Sequence, residues 1–138
     1  MSIEENVQIV KDAFAAFGRG DVQGLLALFA EDIEWIIPGE GWPLAGTYRG
    51  HAGVADFFRK LSEMLEISIF ELREFVARGD RVLVVGFSTG RVKATNRKSE
   101  GHWVIAFTVL NGKVTNVREY LDTLALARAF EMPASATA

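Results

Sequence analysis

The sequence contains no cysteine among its 138 residues. That absence excludes a disulfide framework, a thiolate nucleophile and any metal site built from cysteine. The chain also lacks an apolar run approaching the ~18 residues that a membrane-spanning helix needs. Its start, MSIEENVQIV, is acidic and amphipathic, which is not typical of a secretory signal. We therefore expect a cytoplasmic protein that makes no membrane contact.

The chain has no excess of positive charge. Lys and Arg number 15, Asp and Glu number 18, and the net charge is −3. Phosphate backbones attract clustered Lys and Arg, so we expect no nucleic-acid partner. His51 and His102 lie far apart in the pattern without matching carboxylates, and the sequence therefore predicts no metal site. It carries no Gly-rich phosphate loop and no Ser-His-Asp arrangement, and it implies no cofactor.

Helical periodicity dominates the first part of the chain. Ser2 and Glu5 have the spacing of a capping box, and the apolar residues that follow recur at three- and four-residue steps. Gly18 predicts the end of this first helix, and Asp21 predicts the N-cap of a second one that carries Leu25, Leu26, Leu28 and Phe29. A third helix is predicted from His51 to about Leu65.

A period of two takes over in the second half of the chain and predicts strands. The tight turn signals Gly79-Asp80 and Asn111-Gly112 make neighbouring strands antiparallel. A shift of the apolar parity near Glu74 indicates a β-bulge. A short strand at 33–37 and a Gly- and Pro-rich loop at 38–50 precede the third helix. The four long strands are predicted at 67–78, 81–93, 101–110 and 113–121.

Helices gathered before a run of antiparallel strands indicate an α+β domain. We expect a cone-shaped, curved antiparallel sheet wrapped around three N-terminal helices. The chain length of 138 residues suggests one domain, at 1–131, and the tail 132–138 is predicted to be disordered.

Two charges interrupt predicted inward rows of apolar side chains. In the last strand, Glu119 shares a face with Val117 and Leu121. In the strand 81–93, the bulkier face, with Phe87, is expected to point inward, and Arg91 ends that row. We predict that Arg91 and Glu119 are catalytic residues, with Glu119 a general acid or base tuned by burial. The alternatives are a structural ion pair that braces the sheet, or two charged groups that merely reach its rim.

Aromatic and aliphatic residues on the same predicted faces are candidates for the wall of a ligand pocket, or alternatively for an ordinary core. The strand at 101–110 is apolar on both faces, so its outer face must also be buried against another protein surface. We therefore expect a homodimer through the outer face of the sheet. The candidate pocket residues are Phe17, Trp35, Ile37, Tyr48, Phe58, Phe87, Trp103 and Ile105.

Several short motifs in their order resemble a known family. The segments AEDIEW, GTYRGHAGVADFF at 46–58 and REYLDT at 118–123 resemble the SnoaL-like branch of the nuclear transport factor 2-like superfamily. The resemblance covers about residues 3–130 and implies a cystatin-like α+β roll with a deep pocket, commonly as a dimer. Such proteins include ketosteroid isomerases, polyketide cyclases, limonene-epoxide hydrolases and non-catalytic binding domains, so the fold alone does not fix the function.

The catalytic residues of two of these enzyme types match this chain only in part. The positions that resemble the three ketosteroid isomerase residues are Ala13, Ile37 and Ile105, which are all apolar. That mechanism needs a base and a polar oxyanion donor, so a standard ketosteroid isomerase is not expected. The epoxide hydrolases resemble the chain at Arg91 and Glu119, but Lys93 stands where they have an acid.

The sequence therefore supports two hypotheses of different kinds. The first is a SnoaL-like pocket protein that binds an apolar, polycyclic or terpenoid-like small molecule. In that case isomerase- or cyclase-like chemistry by a single carboxylate suits it better than epoxide hydrolysis. The second is a ligand-binding or dimeric association domain without turnover.

Overall fold

The computed structural model describes residues 2–131, which form four helices and six strands. Helices and strands are mixed in the first half of the chain, and four consecutive strands follow in the second half. The elements in chain order are α1 Ile3–Gly18, α2 Val22–Leu26, β1 Phe29–Ile37, β2 Gly46–Arg49, α3 Gly50–Met64, β3 Leu65–Arg78, β4 Arg81–Val92, β5 Lys98–Leu110, β6 Lys113–Tyr120 and α4 Thr123–Phe130.

The predicted helix boundaries at the N-terminus are confirmed. The Ser2 hydroxyl accepts from the Glu5 amide, and the Glu5 carboxylate accepts from the Ser2 amide, each at 3.1 Å. This capping box satisfies two of the amide groups that a helix start leaves free. The Asp21 carboxylate accepts from the Gly24 amide at 2.9 Å and begins α2.

The six strands form one sheet in the order β2-β1-β6-β5-β4-β3. The pair β1 and β6 is parallel, and every other neighbouring pair is antiparallel. Both predicted hairpins are present, and Gly79, Asn111 and Gly112 have positive φ angles of 57°, 51° and 78°. The register of β3 against β4 shifts between Leu72 and Glu74, which confirms the predicted bulge.

Two local predictions are wrong, and a third falls outside the described residues. The second helix ends at Leu26, and Phe29 already begins β1, which starts four residues before the predicted Ile33. The loop 38–50 contains the short strand β2, because Tyr48 pairs with Trp35 at the edge of the sheet. The predicted disordered tail 132–138 lies outside the described residues.

The first helix lies against the concave face of the sheet. The Phe14 ring of α1 packs against Phe70, Phe75, Trp103 and Phe107, with ring centroids 5.6 to 6.5 Å apart. Aromatic rings in this range add stabilisation beyond their buried area. The curvature of the sheet therefore encloses α1, and the core contains aromatic side chains from α1, β3 and β5.

The predicted inward face of β4 is wrong. Directly paired residues of neighbouring strands point to the same face, and Glu119 pairs with Ile105, which pairs with Val84. Val84 is fully buried, so the small-residue row of β4 points inward and the row with Phe87 points outward. The physical reason is volume, because the Trp103 ring lies directly over Gly86 and leaves no room for a bulky side chain.

Candidate functional site

Glu119 lies on the concave face of β6, as its alternation with Val117 predicts. The Trp35 indole N–H of β1 donates to its Oε2 atom at 2.8 Å. The parallel register sets this contact, because Trp35 pairs with Val117, two residues before Glu119. Glu119 is mostly buried and lines a cavity, so its remaining exposed surface faces the interior of the cone.

Burial raises the pKa of Glu119 from its ordinary value of 4.5 to about 7. The cause is the loss of hydration, since an apolar surrounding disfavours the charged carboxylate. The hydrogen bond from Trp35 acts in the opposite direction and lowers the pKa, because it stabilises the charged form. Near neutral pH this carboxyl group therefore populates both the protonated and the ionised form.

The cavity beside Glu119 has a volume of about 160 Å³ and mostly apolar walls. Its lining comes from every helix, from every strand except β2, and from the loop before β2. An engineered apolar cavity of about 150 Å³ accepts benzene. The enclosed space is therefore large enough for a ring compound of one to two rings.

Polar side chains are concentrated at one edge of this cavity. They come from β4, from the start of β5 and from the second residue after β6: Ser88, Ser99 and Asp122. Asp122 is exposed to solvent, so it marks the opening of the cavity. Asp122 also accepts from the Ala125 amide at 3.0 Å and begins α4.

Most of the predicted pocket residues line the cavity. They are Phe17, Trp35, Ile37, Phe58, Trp103 and Ile105. Tyr48 does not line it, because the Phe57 ring lies 5.0 Å from the Tyr48 ring and separates it from the cone interior. Phe87 is on the convex face, where its ring packs 5.2 Å from the His102 ring and below Arg73.

The predicted pairing of Arg91 with Glu119 is wrong. Arg91 donates to the Glu66 carboxylate at 3.1 Å and to the Asn96 side chain at 3.1 Å. It lies seven residues along β4 from Val84, the residue in register with Glu119, which corresponds to about 23 Å of strand. Because the parity of β4 is reversed, Arg91 is not on the inward face, and it does not line the cavity.

The sequence patterns missed two features of the site. Trp35 was predicted as a wall, but its role as the hydrogen-bond donor to Glu119 depends on the parallel pairing of β1 and β6. Trp42 and Leu44 of the loop before β2 also line the cavity, and they are 8% and 1% exposed. The signal for the loop was its apolar composition between glycines, which is unusual for a solvated segment.

Within residues 2–131 no three His, Asp or Glu side chains come together in a group that could hold a metal ion. The same part of the chain contains no helix that is long and apolar enough to cross a membrane.

Fold and site together define an α+β cone with an apolar cavity, open at one edge, that contains one buried carboxylate. The chain belongs to the SnoaL-like domain family, whose model matches residues 10–117, within the nuclear transport factor 2-like superfamily. It is 69% identical to a nuclear transport factor 2-like protein from Burkholderia xenovorans. The two structures share a TM-score of 0.89 over 95% of this chain and 99% of that one.

Two other solved relatives have informative names. TerC, crystallised with polyporic acid, is 30% identical, with a TM-score of 0.82 over 93% of this chain and 99% of its own. A protein from Mesorhizobium loti assigned as a SnoaL-like polyketide cyclase is 26% identical, with a TM-score of 0.71 over 87% of this chain and 99% of its own. One solved relative is therefore assigned as a polyketide cyclase, and another was crystallised with a small molecule.

Proposed function

We propose that this chain binds an apolar ring compound in the cone and that Glu119 moves a proton on it, as an isomerase or cyclase does. The observation that carries this proposal is a buried carboxyl group, with a pKa near 7, on the wall of an apolar cavity. Carboxyl groups tuned in this way are well suited to acid–base chemistry at neutral pH.

The chemistry requires no other reactant. The ionised Glu119 takes a proton from a carbon of the bound compound, and the electron pair of that C–H bond moves into the conjugated system. The protonated Glu119 then returns the proton to another carbon or oxygen, so the product is an isomer of the substrate. Trp35 stabilises the ionised state by donating to Oε2, and the apolar walls favour the neutral state.

The expected ligand is apolar because the enclosed walls are. At about 160 Å³ the enclosed volume fits one to two rings, and a larger polycyclic or terpenoid-like compound would extend through the polar edge. The crystallisation of TerC with polyporic acid, and the polyketide cyclase assignment of the Mesorhizobium loti relative, support a ring compound as the ligand class.

Proton transfer can be tested without knowing the natural substrate. The protein is incubated in D₂O with a panel of cyclic enones and aromatic polyketide fragments, and mass spectrometry measures deuterium uptake at carbon. We expect exchange in the wild type and a loss of at least about 100-fold in Glu119→Gln, which removes the acid–base group but keeps its shape. Binding of the same compounds, measured by calorimetry, is expected to survive this substitution.

A matched control is Glu74→Gln, because Glu74 is an exposed carboxylate of β3 that does not line the cavity. This variant is expected to exchange deuterium at the wild-type rate. Compounds that bind but exchange no deuterium in the wild type would contradict the catalytic proposal. That outcome would favour the alternative, a ligand-binding domain without turnover.

We also propose that a second copy of the chain covers the convex face of the sheet. Tyr120 and Val76 are 51% and 46% exposed on this face. Val85 and Val104, which pair with each other across β4 and β5, lie between them. The test is sedimentation analysis of the wild type and of Val85→Glu, which places a charge in this apolar row. We expect a dimer that dissociates in the variant, and a monomeric wild type would contradict the proposal.

A further inference from the structure

The concave face of the sheet changes from apolar to polar towards the opening of the cavity. Strands β4 and β5 pair without a register shift, so the alternation of their side chains fixes which of them point inward. Val84 and Ile105, in register with Glu119, are apolar. The inward pairs that follow towards the opening are Gly86 with Trp103, then Ser88 with Gly101, and then Gly90 with Ser99. The two serines are therefore the polar side chains that these strands point towards the cavity.

The hydroxyl groups of Ser88 and Ser99 are free and accessible. The other serines of residues 2–131, Ser2, Ser62 and Ser68, use their hydroxyls in hydrogen bonds within the protein, whereas Ser88 and Ser99 make no such bond there. Neither hydroxyl is among the buried polar atoms without a partner in this part of the chain, so both oxygens remain accessible. Both residues are half-buried and line the cavity, where a free hydroxyl can donate to a ligand and accept from it.

Asp122 adds a carboxylate beside these hydroxyls. Its Cβ atom lies 4.0 Å from the place that a Cβ atom of residue 101 would occupy, and Gly101 pairs directly with Ser88. The Oδ1 atom of Asp122 accepts from the Ala125 amide at 3.0 Å, which leaves Oδ2 available as an acceptor. Because Gly101 has no side chain, the concave face stays open between Asp122 and the serines.

The serines are too far from Glu119 for a small ring compound to contact both. Ser88 is four residues along β4 from Val84, which is in register with Ile105 and through it with Glu119. At about 3.3 Å per residue this separation is about 13 Å. A compound that contacts Glu119 and Ser88 together must therefore be elongated, and its middle must be apolar because it passes the apolar walls.

The charges at the opening limit the group that the serines can bind. Among the described residues that line the cavity there is no Lys or Arg, so no cation balances an anionic ligand. The Asp122 carboxylate repels an anion and accepts hydrogen bonds from donors. A neutral hydroxyl group fits this surrounding, because it can accept from a serine and donate to the carboxylate.

We propose that Ser88 and Ser99 determine ligand specificity, and that with Asp122 they bind a neutral hydroxyl group at the end of the ligand remote from Glu119. This inference rests on the proposed binding of a ring compound in the cone. The ligand is then an elongated ring compound, apolar where it meets Glu119 and hydroxylated at its other end. Binding of the hydroxyl orients the compound and places its apolar end at the proton-transferring group.

The test compares two elongated probes of nearly equal size, 4-hydroxychalcone and 4-methylchalcone, which differ only by a hydroxyl or a methyl group at one end. Each is titrated into the full-length protein at about pH 6, where a phenol is neutral. Quenching of tryptophan fluorescence measures the affinity, because Trp35, Trp42 and Trp103 all line the cavity. We expect the hydroxyl compound to bind about tenfold more tightly than the methyl compound.

The double variant Ser88→Ala/Ser99→Ala removes the two hydroxyls and leaves the apolar walls unchanged. The affinity ratio of the two probes is expected to fall from about ten to about one, and comparing ratios removes any general effect on the cavity. Ser68→Ala is the matched control, because Ser68 donates to the Thr89 carbonyl and does not line the cavity. This variant is expected to keep the wild-type ratio. The wild-type comparison gives an answer even if the double variant folds poorly.

The outcomes separate this proposal from the proposed function. If both probes bind the wild type equally, the serines do not select a hydroxyl group, and binding of a ring compound in the cone stands. If the preference for the hydroxyl survives in the double variant, the hydroxyl is bound elsewhere and the specificity proposal is likewise overturned. If neither probe quenches the fluorescence up to its solubility limit, the proposed binding in the cone fails and the specificity proposal fails with it.

Discussion

Glu119 and Arg91 occupy similar places in the sequence, each a charge in an alternating apolar row, yet their environments in the folded protein are opposite. Glu119 lies inside the cone, where its carboxyl group accepts a hydrogen bond from the Trp35 indole N–H. Arg91 lies at the far end of β4, paired with Glu66, and the two side chains are 37% and 61% exposed. The first charge has a strongly raised pKa, whereas the second forms a surface ion pair.

The difference shows that a charge in an apolar row is not by itself a functional signal. In β6 the apolar row is the buried one, because Val117 packs in the core. In β4 the bulky row is on the convex side, because Trp103 occupies the space above Gly86. Which face of the strand points into the cone therefore decided whether its charged residue became a candidate acid–base group or a surface residue.

The largest effect on stability is expected at Gly86, which leaves room for the Trp103 ring and so sets which face of β4 points inward. In Gly86→Ala the new Cβ would overlap with the Trp103 ring and lie 2.5 Å from the Glu71 carbonyl oxygen. Overpacking of this kind costs about 1–3 kcal/mol or more, and backbone on one side leaves little room to relax. We expect a loss of about 3 kcal/mol in the free energy of unfolding, measured by urea denaturation.

The control is Gly101→Ala, another strand glycine, whose added Cβ would lie 4.0 Å from the Asp122 Cβ in ordinary contact. This variant is expected to change stability by less than about 1 kcal/mol. Equal losses in the two variants would show that crowding at Trp103 does not set the parity of β4.

The buried carboxyl is expected to make stability depend on pH in a defined direction. The folded protein holds a proton on Glu119 up to about pH 7, whereas the ordinary value is 4.5. Between these values the folded state binds more protons, so the stabilisation, complete below about pH 4.5, is lost as pH rises through about 7. The difference of about 2.5 pH units, at about 1.4 kcal/mol each, corresponds to about 3 to 4 kcal/mol.

The measurement is the free energy of unfolding of the wild type relative to Glu119→Gln, followed by urea denaturation from about pH 4 to pH 8. The variant cannot titrate at residue 119, so the difference isolates this group. Arg91→Gln, carried through the same series, is expected to show no such pH dependence relative to the wild type. A flat difference curve for Glu119→Gln would contradict the raised pKa.

A smaller effect is expected from the hydrogen bond that Glu119 receives. Trp35→Phe removes the donor to Oε2, which stabilises the charged form, so the pKa of Glu119 is expected to rise above about 7. A ¹³C NMR titration of the Glu119 carboxyl carbon measures this change. Trp42→Phe is the matched control, because the Trp42 indole N–H donates to Pro38 and not to Glu119; a similar rise there would argue against a specific hydrogen-bond effect.

The smallest effect on stability is expected for the solvent-exposed ion pair of Arg91 and Glu66. A double-mutant cycle with Arg91→Gln and Glu66→Gln is expected to give a coupling energy below about 1 kcal/mol, because both side chains are solvated. The free energies of unfolding of the four proteins supply the cycle. A coupling of about 2 kcal/mol or more would show that the Arg91–Glu66 pair braces the sheet in the way first expected for Arg91 and Glu119.

Local patterns were reliable where local physics decides. Ser2 and Asp21 were predicted as helix caps, and each caps a helix because the bond it makes is within three residues of it. The hairpins at Gly79 and Asn111 follow from positive φ angles that few residues tolerate. The strand β2 was missed because its pairing with β1 depends on residues that are distant in the sequence from the glycines around it.

By itself, the sequence determined the alternation of each strand, the helix caps and turns, the family, and that Glu119 shares a face with Val117. Short-range hydrogen bonds and the two-residue period of a strand fix these features within a few residues. Only the tertiary structure decided that β4 points its small side chains inward, that Arg91 pairs with Glu66, and that Trp35 reaches Glu119. The reason is that close packing must fill one shared interior volume, and side chains from every strand and helix compete for it.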